Sequence, residues 1–234
     1  MKRLAIIPAR GGSNRILKKN IKKFCGEPMI SYPIRTLKES GLFDTIHVST
    51  DSSEIVELVS DLGLKVDFLR DPSLADDHTP IMPVLKWTIE QYRLREIYFE
   101  EVAAVMPCTP FIESSDYIKA NKLLNKENND KPVIGISSYP APIEWAFDKN
   151  EFDNSLTPVN PGLCEIRSQD LKKKYYDAGA FVFYHVNHIL NYDLNSIDVN
   201  YIGLILDKIK GIDIDEEEDW DFAETIMKSI LNKK

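Results

Sequence analysis

The sequence predicts an α/β fold, in which a mostly parallel twisted sheet is covered by helices on both faces. Three observations lead to this prediction. Short apolar runs alternate along the chain with segments of helical period, which is the pattern of successive βαβ units. The first run, residues 4–7, is apolar at every position, as expected of a strand buried on both faces. The 234 residues, 43% of them apolar, suffice for one domain, which we expect to extend over residues 1–234.

The strand and helix signals follow one another in order. Strands are predicted at residues 4–7, 45–49, 65–69, 102–106, 133–137 and 178–184, with an edge strand at 202–206. One helix ends at Gly41 and another at Gly63, since glycine commonly follows the last helical turn. A third helix of about twenty residues surrounds Trp87, and a fourth is capped by Ser114. An apolar stripe (positions 220, 223, 227 and 230) marks the final helix.

The regular alternation stops at residues 138–174. This stretch contains four prolines, several aromatic residues and no helical period. Irregular stretches of this length are usually functional or disordered, and the aromatic content argues against disorder. Exposed Trp145, Phe147 and Phe152 would form a costly apolar patch on a monomer. We therefore interpret residues 138–174 as a dimerisation and substrate-binding arm, and we expect a homodimer.

Composition argues against several classes of protein. The net charge is −8, which disfavours general binding to nucleic acid. The three cysteines have no zinc-site spacing and cannot all pair, which favours free thiols in a reducing compartment. The apolar start is too short for a signal peptide, and no stretch approaches the length of a membrane span. We therefore expect a cytoplasmic protein with a small anionic ligand and with neither nucleic acid nor membrane as a partner.

A cationic, glycine-rich loop follows the first strand. Pro8 ends the strand, and Gly11 and Gly12 allow backbone N–H groups to point at an anion. Arg10 adds a planar fork for phosphate oxygens, and Lys19 adds a mobile charge. The motifs GxxxxGKS/T and GxGxxG are absent, which argues against a P-loop NTPase and a dinucleotide fold. The loop suits a nucleoside triphosphate, and a plain basic surface loop is the alternative.

Two aspartates near the carboxyl end, Asp213 and Asp215, form an Asp-x-Asp pair. On an extended segment both carboxylates would point to one face, with Ile212 and Ile214 on the other. Two neighbouring carboxylates suit Mg²⁺, which keeps waters and phosphate oxygens as its other ligands. A solvated edge followed by a helix N-cap is equally compatible with these residues, because an acidic run follows at residues 216–219.

A loop at residues 70–79 is another candidate binding segment. It contains the cation Arg70 and the neighbouring acids Asp76 and Asp77. The alternative is a surface arginine followed by two aspartates that cap the next helix. The residues by themselves do not distinguish the two interpretations.

The string Ile-Pro-Ala-Arg-Gly-Gly-Ser-x-x-Ile-x-x-Lys-Asn, together with the Asp-x-Asp pair, resembles the signature of the CMP-sialic acid synthetase family, the sugar-acid cytidylyltransferases. The resemblance covers residues 5–220 and implies a fold similar to that of nucleotide-diphospho-sugar transferases. The CTP-binding residues that it implies are Ala9, Arg10, Gly11, Gly12, Ser13, Lys19, Asn20, Arg70, Asp76 and Asp77. The catalytic residues that it implies are Arg10, Lys19, Asp213 and Asp215, with the two aspartates as ligands of Mg²⁺.

Further strings resemble the pseudaminic acid branch of that family: Arg-Ser-Gln-Asp-Leu at 167–171 and Tyr-x-Asp-Ala-Gly at 175–179. An arginine can hold a sugar carboxylate, a glutamine can bond hydroxyls, and a glycine permits close approach to a ring. The substrate-binding residues implied are Arg167, Gln169, Tyr176, Asp177 and Gly179. The implied reaction joins CMP from CTP to a nine-carbon 2-keto sugar acid and releases pyrophosphate.

One position departs from the family pattern, which usually has a lysine where this chain has Asn14. Arg15 and Lys18 are the candidates to supply the missing charge. Two alternatives remain beside transfer to pseudaminic acid, and Asn14 bears only on the second. One is transfer to sialic, legionaminic or an eight-carbon sugar acid, and the other is a catalytically impaired nucleotide-binding protein.

Overall fold

The computed structural model describes residues 1–13, 15–127, 129–193 and 200–232. The strands are β1 (Arg3–Pro8), β2 (Lys23–Phe24), β3 (Glu27–Pro28), β4 (Thr45–Ser49), β5 (Glu101–Val105), β6 (Val133–Ser138), β7 (Phe147–Lys149), β8 (Leu156–Pro158), β9 (Tyr175–His185) and β10 (Ile202–Ile205). The helices are α1 (Ser31–Ser40), α2 (Ser53–Asp61), α3 (Ile81–Arg93), α4 (Ser114–Leu124), α5 (Val186–Leu190) and α6 (Glu217–Leu231).

Six strands form the central sheet, in the order β10-β6-β9-β5-β1-β4. β1 lies between β4 and β5 and is parallel to both, with Ile6 opposite His47 on one side and Ala104 on the other. β10 is parallel to β6, whereas β9 runs antiparallel between β5 and β6. The predicted α/β fold with a mostly parallel sheet is confirmed, and β10 is the edge strand expected at residues 202–206.

Alternate residues of β1 pack into two different cores. Ala5 and Ile7 face the core that α1, α2 and α4 cover. Leu4 and Ile6 face the opposite core, which α3 and α5 cover. All four side chains are fully buried. The uninterrupted apolar run follows from this arrangement, because a strand with helices on both faces has no solvent-facing side.

A third core joins the two ends of the chain. Trp220 and Met227 of α6 pack against Ile16 and Phe24, which follow the glycine-rich loop. The Phe24 and Trp220 rings meet edge to face, with centroids 5.4 Å apart. This packing places the segment before α6, which contains the Asp-x-Asp pair, beside the loop after β1.

The strand predicted at residues 65–69 is wrong. These residues follow α2 without joining the sheet, and β4 is the edge of the sheet on that side. The Phe68 ring packs instead on His47 and Tyr92, at centroid distances of 4.4 and 5.0 Å. The apolar side chain therefore covers the sheet, and the backbone does not extend it.

Two helix predictions also require correction. The helix around Trp87 has 13 residues, shorter than the predicted length of about twenty. Pro80 precedes its first turn, and Glu96 beyond its end has a φ of 62°. The N-cap of α4 is Glu113, which forms a capping box with Asp116, so Ser114 is the first helical residue. Across the described residues, no helix is long and apolar enough to cross a membrane.

The predicted arm at residues 138–174 contains a small antiparallel ribbon made of β7 and β8. Phe152 lies between these strands and is 99% exposed, and Phe147 and Leu156 are also largely exposed. Trp145 is partly buried, and its Nε1–H donates a hydrogen bond of 3.0 Å to the carbonyl of Ile166. The arm is thus folded with apolar side chains facing solvent, and the homodimer stays a prediction.

Candidate active site

A cavity of about 290 Å³ opens at the carboxyl end of β1. Carboxyl ends of parallel strands meet at one edge of a sheet, where ligands of open α/β folds commonly bind. The structure brings eight of the residues predicted for CTP or metal to this one cavity. They are Arg10, Ser13, Lys19, Asn20, Arg70, Asp76, Asp77 and Asp215.

The glycine-rich loop is hydrogen-bonded to the last residue of β4 and to the segment after it. The Ala9 N–H donates to the Ser49 carbonyl, and the Gly11 N–H donates to Asp51 Oδ1, both at 2.9 Å. A Cβ on Gly11 would lie 3.0 Å from the Cβ of Ser52, so this position is too tight for a larger residue without a shift. Asn20 is almost fully buried, and its Nδ2 donates to the Arg10 carbonyl at 3.0 Å. Asn20 therefore shapes the loop from its inner side.

The cations of the loop are held by carboxylates. Arg10 forms an ion pair with Asp77. Lys19 Nζ lies 3.0 Å from Asp215 Oδ1 and donates to the Ile214 carbonyl at 2.7 Å. These contacts hold both side chains at the wall of the cavity, where an anionic ligand would meet them.

Arg15 and Lys18 point to different neighbours. Arg15 Nη1 lies 2.8 Å from Asp215 Oδ2, and Arg15 lines the cavity. Lys18 has a φ of 51° and reaches Glu54, at 2.6 Å, on α2. Arg15 is therefore the better placed of the two to supply the charge that the family pattern puts after the serine. Asn14 itself lies outside the described residues.

The Asp-x-Asp segment lies outside the strands and helices. Ile214 is buried against the third core, and Asp215 faces the cavity. Burial and the charge of Asp215 raise the pKa of Asp213. Burial also tends to raise the pKa of Asp215. The hydrogen bonds and positive charges of Lys19 and Arg15 outweigh burial, so the pKa of Asp215 is lowered. The two carboxylates are thus close enough to affect each other.

The acidic run at residues 216–219 caps α6. Capping of this helix was the alternative role for Asp213 and Asp215. The N-cap of α6 is Glu216, which forms a capping box with Asp219. Asp219 Oδ2 accepts hydrogen bonds from the N–H groups of Asp215 and Glu216 at 3.1 and 2.9 Å. The side chains of Asp213 and Asp215 are not used for capping; Asp215 lines the cavity, and Asp213 does not.

Arg70 is buried, so the surface interpretation of this residue is wrong. Its Nη2 donates to the Ser49 carbonyl at 2.7 Å, and its Nε donates to Ser49 Oγ at 3.1 Å. Asp76 Oδ1 accepts from the N–H groups of His78 and Thr79, which lowers the pKa of Asp76. These bonds close a turn ahead of α3, whose N-cap is Pro80. Asp76 and Asp77 therefore do not cap α3.

The residues predicted for the sugar do not line this cavity. Gly179 comes nearest to the site, because a Cβ built on it would lie 3.8 Å from Asp213 Oδ1, and its φ is +60°. Asp177 Oδ1 accepts from the Gly179 N–H at 2.9 Å, and the Tyr176 hydroxyl donates to the Gly211 carbonyl at 3.1 Å. All three lie on β9.

The other two predicted sugar residues lie in the arm. Arg167 is exposed, and its Nε lies 2.8 Å from Asp170 Oδ2. Gln169 lines a separate surface pocket beside Tyr139 and Lys172. A single chain therefore does not bring Arg167 and Gln169 to the cavity that holds Arg10.

Sequence reasoning missed the apolar wall of the cavity. This wall includes Ile16, Leu74, Ile81, Val84 and Met106. Met106 directly follows β5, the neighbour of β1, so the shared carboxyl edge of the two strands is the signal that would have placed it at the site. Ile16 belongs to the quoted family string, and the other three belong to helical or loop patterns that give no such indication.

A sheet of this topology, with cations and a carboxylate at the carboxyl end of β1, fits an enzyme that binds a nucleotide. The sequence profile of the family described as Cytidylyltransferase matches residues 4–223. The chain therefore belongs to the cytidylyltransferase family, and its enzyme class is nucleotidyltransferase.

Two relatives and one solved structure illustrate the similarity. The pseudaminic acid cytidylyltransferase of Campylobacter jejuni is 35% identical over 228 residues, which cover 97% of each chain. The CMP-N,N'-diacetyllegionaminic acid synthase of Legionella pneumophila is 26% identical, again over 97% of each chain. The structure of CMP:2-keto-3-deoxy-manno-octonic acid synthetase complexed with CTP matches this chain with a TM-score of 0.71 and 15% sequence identity. The match covers 98% of this chain and 99% of the synthetase chain. The structural match shows that the fold is shared.

Proposed function

We propose that this enzyme transfers CMP from CTP to a nine-carbon 2-keto sugar acid, pseudaminic acid, with release of pyrophosphate. The observation that carries the proposal is the convergence of Arg10, Arg15 and Lys19 on the cavity that Asp215 also lines. Cations with a carboxylate among them suit a triphosphate with its metal. The relative from Campylobacter jejuni, at 35% identity, supports pseudaminic acid as the acceptor.

Asp213 and Asp215 are the residues that we propose to hold Mg²⁺. Their oxygen donors fit this ion, which proteins commonly bind through one or two carboxylates plus substrate phosphates. The raised pKa of Asp213 is partly due to the charge of Asp215, and a bound cation would relieve that repulsion. Within the described residues no group of three or more metal-binding side chains occurs, so the remaining ligands would be waters and phosphate oxygens. When bound, the ion supplies charge neutralisation to the triphosphate.

The chain itself positions the reactants and compensates charge. Arg10 and Lys19 stabilise the negative charge that develops on the departing pyrophosphate. Asn20 fixes the Arg10 backbone, and the Ile214 carbonyl fixes Lys19, so little reorganisation is needed during the reaction. Burial raises the pKa of the partly buried Cys108 thiol to about 12, which disfavours the thiolate form.

We further propose that the sugar acid binds where the arm of one subunit meets the cavity of a second copy. Arg167 and Gln169 lie away from the chain's own cavity, and the arm exposes Phe147 and Phe152. Burial of these aromatic rings in a homodimer would remove an apolar patch from water. Tyr139 and Tyr176 meet with ring centroids 5.1 Å apart and offer apolar surface next to the Asp213 segment.

A direct test is to incubate the enzyme with CTP, Mg²⁺ and pseudaminic acid, and to measure pyrophosphate and the CMP-sugar. We expect both products in equal amounts, and neither product without the sugar acid. The Asp213→Asn/Asp215→Asn variant is the matched control and should give neither. Failure to form product with pseudaminic acid, while legionaminic, N-acetylneuraminic or an eight-carbon sugar acid reacts, would contradict the proposed acceptor. Binding of CTP without product from any sugar acid would indicate a nucleotide-binding protein.

A further inference from the structure

An ion cluster lies just ahead of the Asp-x-Asp segment, with Lys210 and Asp116 buried and Glu113 68% exposed. Lys210 belongs to the short 3₁₀ turn Lys208–Gly211, and its side chain is only 8% exposed. Lys210 Nζ lies 2.7 Å from Asp116 Oδ2 and 2.7 Å from Glu113 Oε2. The turn is thereby joined to the first turn of α4, whose residues are nearly a hundred positions earlier in the chain.

The partner carboxylate in this cluster is itself fixed. The Asp116 side chain is 4% exposed, and it also accepts a hydrogen bond of 3.0 Å from the Glu113 N–H in the capping box of α4. Burial opposes the charge on Lys210, but hydrogen bonds to Asp116 and Glu113 outweigh it, so the pKa of Lys210 is raised. Buried charges are tolerated only when they are paired in this way. The cluster therefore fixes the 3₁₀ turn at residues 208–211 to the start of α4.

The residue after Lys210 is held at two further points. The Gly211 carbonyl accepts the hydrogen bond of 3.1 Å from the Tyr176 hydroxyl. Gly211 also packs so closely on β6 that an added Cβ would lie 2.5 Å from the Cβ of Ser137. The backbone that enters the Asp-x-Asp segment is thus fixed by α4, β6 and β9 together.

We infer that Lys210 is a positioning residue, which sets where Asp213 and Asp215 present their carboxylates by anchoring the turn before them to α4. The inference rests on the proposed function, in which the two aspartates hold Mg²⁺. Lys210 does not line the cavity and pairs with carboxylates of α4, so it acts through the backbone. Outer residues that orient metal ligands typically change metal affinity by about 10- to 100-fold when mutated.

The test measures the coupling between Mg²⁺ and CTP. Calorimetry gives the Kd of CTP in EDTA and in Mg²⁺, without sugar acid, and the ratio of the two values is the coupling. For Lys210→Met we expect the coupling to fall by about tenfold or more, with little change of the Kd in EDTA. Lys210→Arg, which keeps the charge, should recover most of the coupling. Arg3→Met is the matched control, because it leaves Glu101, only 2% exposed, without its ion pair far from the site.

The outcomes distinguish failure of the proposed metal site from failure of the inference about Lys210. If the wild-type protein shows no coupling, the proposed metal site is wrong and the inference falls with it. If the wild type shows coupling and Lys210→Met retains it, the inference alone is overturned. Should Lys210→Met fold poorly, Lys210→Met/Asp116→Asn removes the unpaired buried carboxylate as well. We expect this double variant to fold and to keep the low coupling, and recovery of wild-type coupling would overturn the inference.

Discussion

Asp215 is shared between two cations of the glycine-rich loop: Arg15 Nη1 lies 2.8 Å from one carboxylate oxygen, and Lys19 Nζ lies 3.0 Å from the other. The same carboxylate is the proposed metal ligand, and the same cations are the proposed partners of the triphosphate. Under the proposed function, binding of metal and nucleotide would exchange these ion pairs, with the carboxylate turned to the metal and the two cations turned to the phosphates. Metal and nucleotide should for this reason bind cooperatively.

The first prediction concerns the two cations near Asn14. Arg15→Met should weaken CTP binding in Mg²⁺ by about tenfold or more, because a hydrogen bond to a charged group contributes roughly 1.5–3 kcal/mol. Lys18→Met is the matched control and should leave the Kd unchanged, since Lys18 pairs with Glu54 on α2. Calorimetric titration with CTP measures both. A larger loss of affinity in Lys18→Met than in Arg15→Met would show that the loop binds its ligand differently.

The second prediction concerns turnover. Arg10→Ala, and separately Asp213→Asn/Asp215→Asn, should abolish pyrophosphate release while circular dichroism stays unchanged. Loss of one well-placed donor typically costs about two to three powers of ten in rate. Arg35→Ala is the matched control, because Arg35 forms an exposed ion pair with Glu27 away from the cavity. Near-normal turnover in a folded Arg10→Ala variant would refute the assignment of this residue.

The third prediction is a pH dependence of stability that originates at His47. This side chain is fully buried, and burial lowers its pKa to about 4 from the ordinary value of 6.5. The unfolded chain therefore binds a proton near pH 6.5 that the folded chain binds only near pH 4, so stability falls as the pH is lowered through this window. Between pH 7 and pH 5 the His47 contribution to this loss is about 2 kcal/mol.

Urea unfolding at the two pH values measures this loss. In His47→Asn the drop in unfolding free energy should be smaller than in the wild type by that amount. His78→Asn, which changes an exposed histidine, is the control and should behave as the wild type does. An equal drop in wild type and His47→Asn would mean that another group is responsible.

The fourth prediction is the oligomeric state. Light scattering at micromolar concentration should give twice the mass of one chain, because the arm exposes Phe147, Phe152 and Leu156. Phe147→Asp/Phe152→Asp should give monomers and raise the KM for the sugar acid, with less effect on CTP binding. A monomeric mass for the wild type would contradict both the dimer and the shared sugar site.

The parts of this molecule that the sequence predicts correctly are those with a local physical cause. β1 was predictable because a strand covered by helices on both faces requires an apolar residue at every position. The loop after β1 was predictable because glycines and cations occur together in it. Residues 65–69 were wrongly predicted to form a strand. The apolar side chain of Phe68 packs on His47 from outside the sheet, and the sequence pattern does not distinguish this packing from that of a strand.

The arrangement of the site depends on contacts that no local pattern encodes. Asp215 and Lys19 are 196 positions apart and meet because Trp220 packs on Phe24. Arg70 appears in sequence as a loop cation, yet it is buried because the Ser49 carbonyl and hydroxyl accept its hydrogen bonds. Arg167 matches a family string, but where it acts depends on the position of the arm, which tertiary and quaternary contacts determine.

The most direct test of the central claim is the ratio of kcat/KM for pseudaminic acid to kcat/KM for N-acetylneuraminic acid, at saturating CTP and Mg²⁺. The two sugars differ in ring and side-chain stereochemistry, and a site matched to one leaves buried polar groups unpaired with the other. Such sites discriminate by several powers of ten, so we expect a ratio of about one hundred or more in favour of pseudaminic acid. A ratio near one, or a preference for N-acetylneuraminic acid, would contradict the proposed substrate.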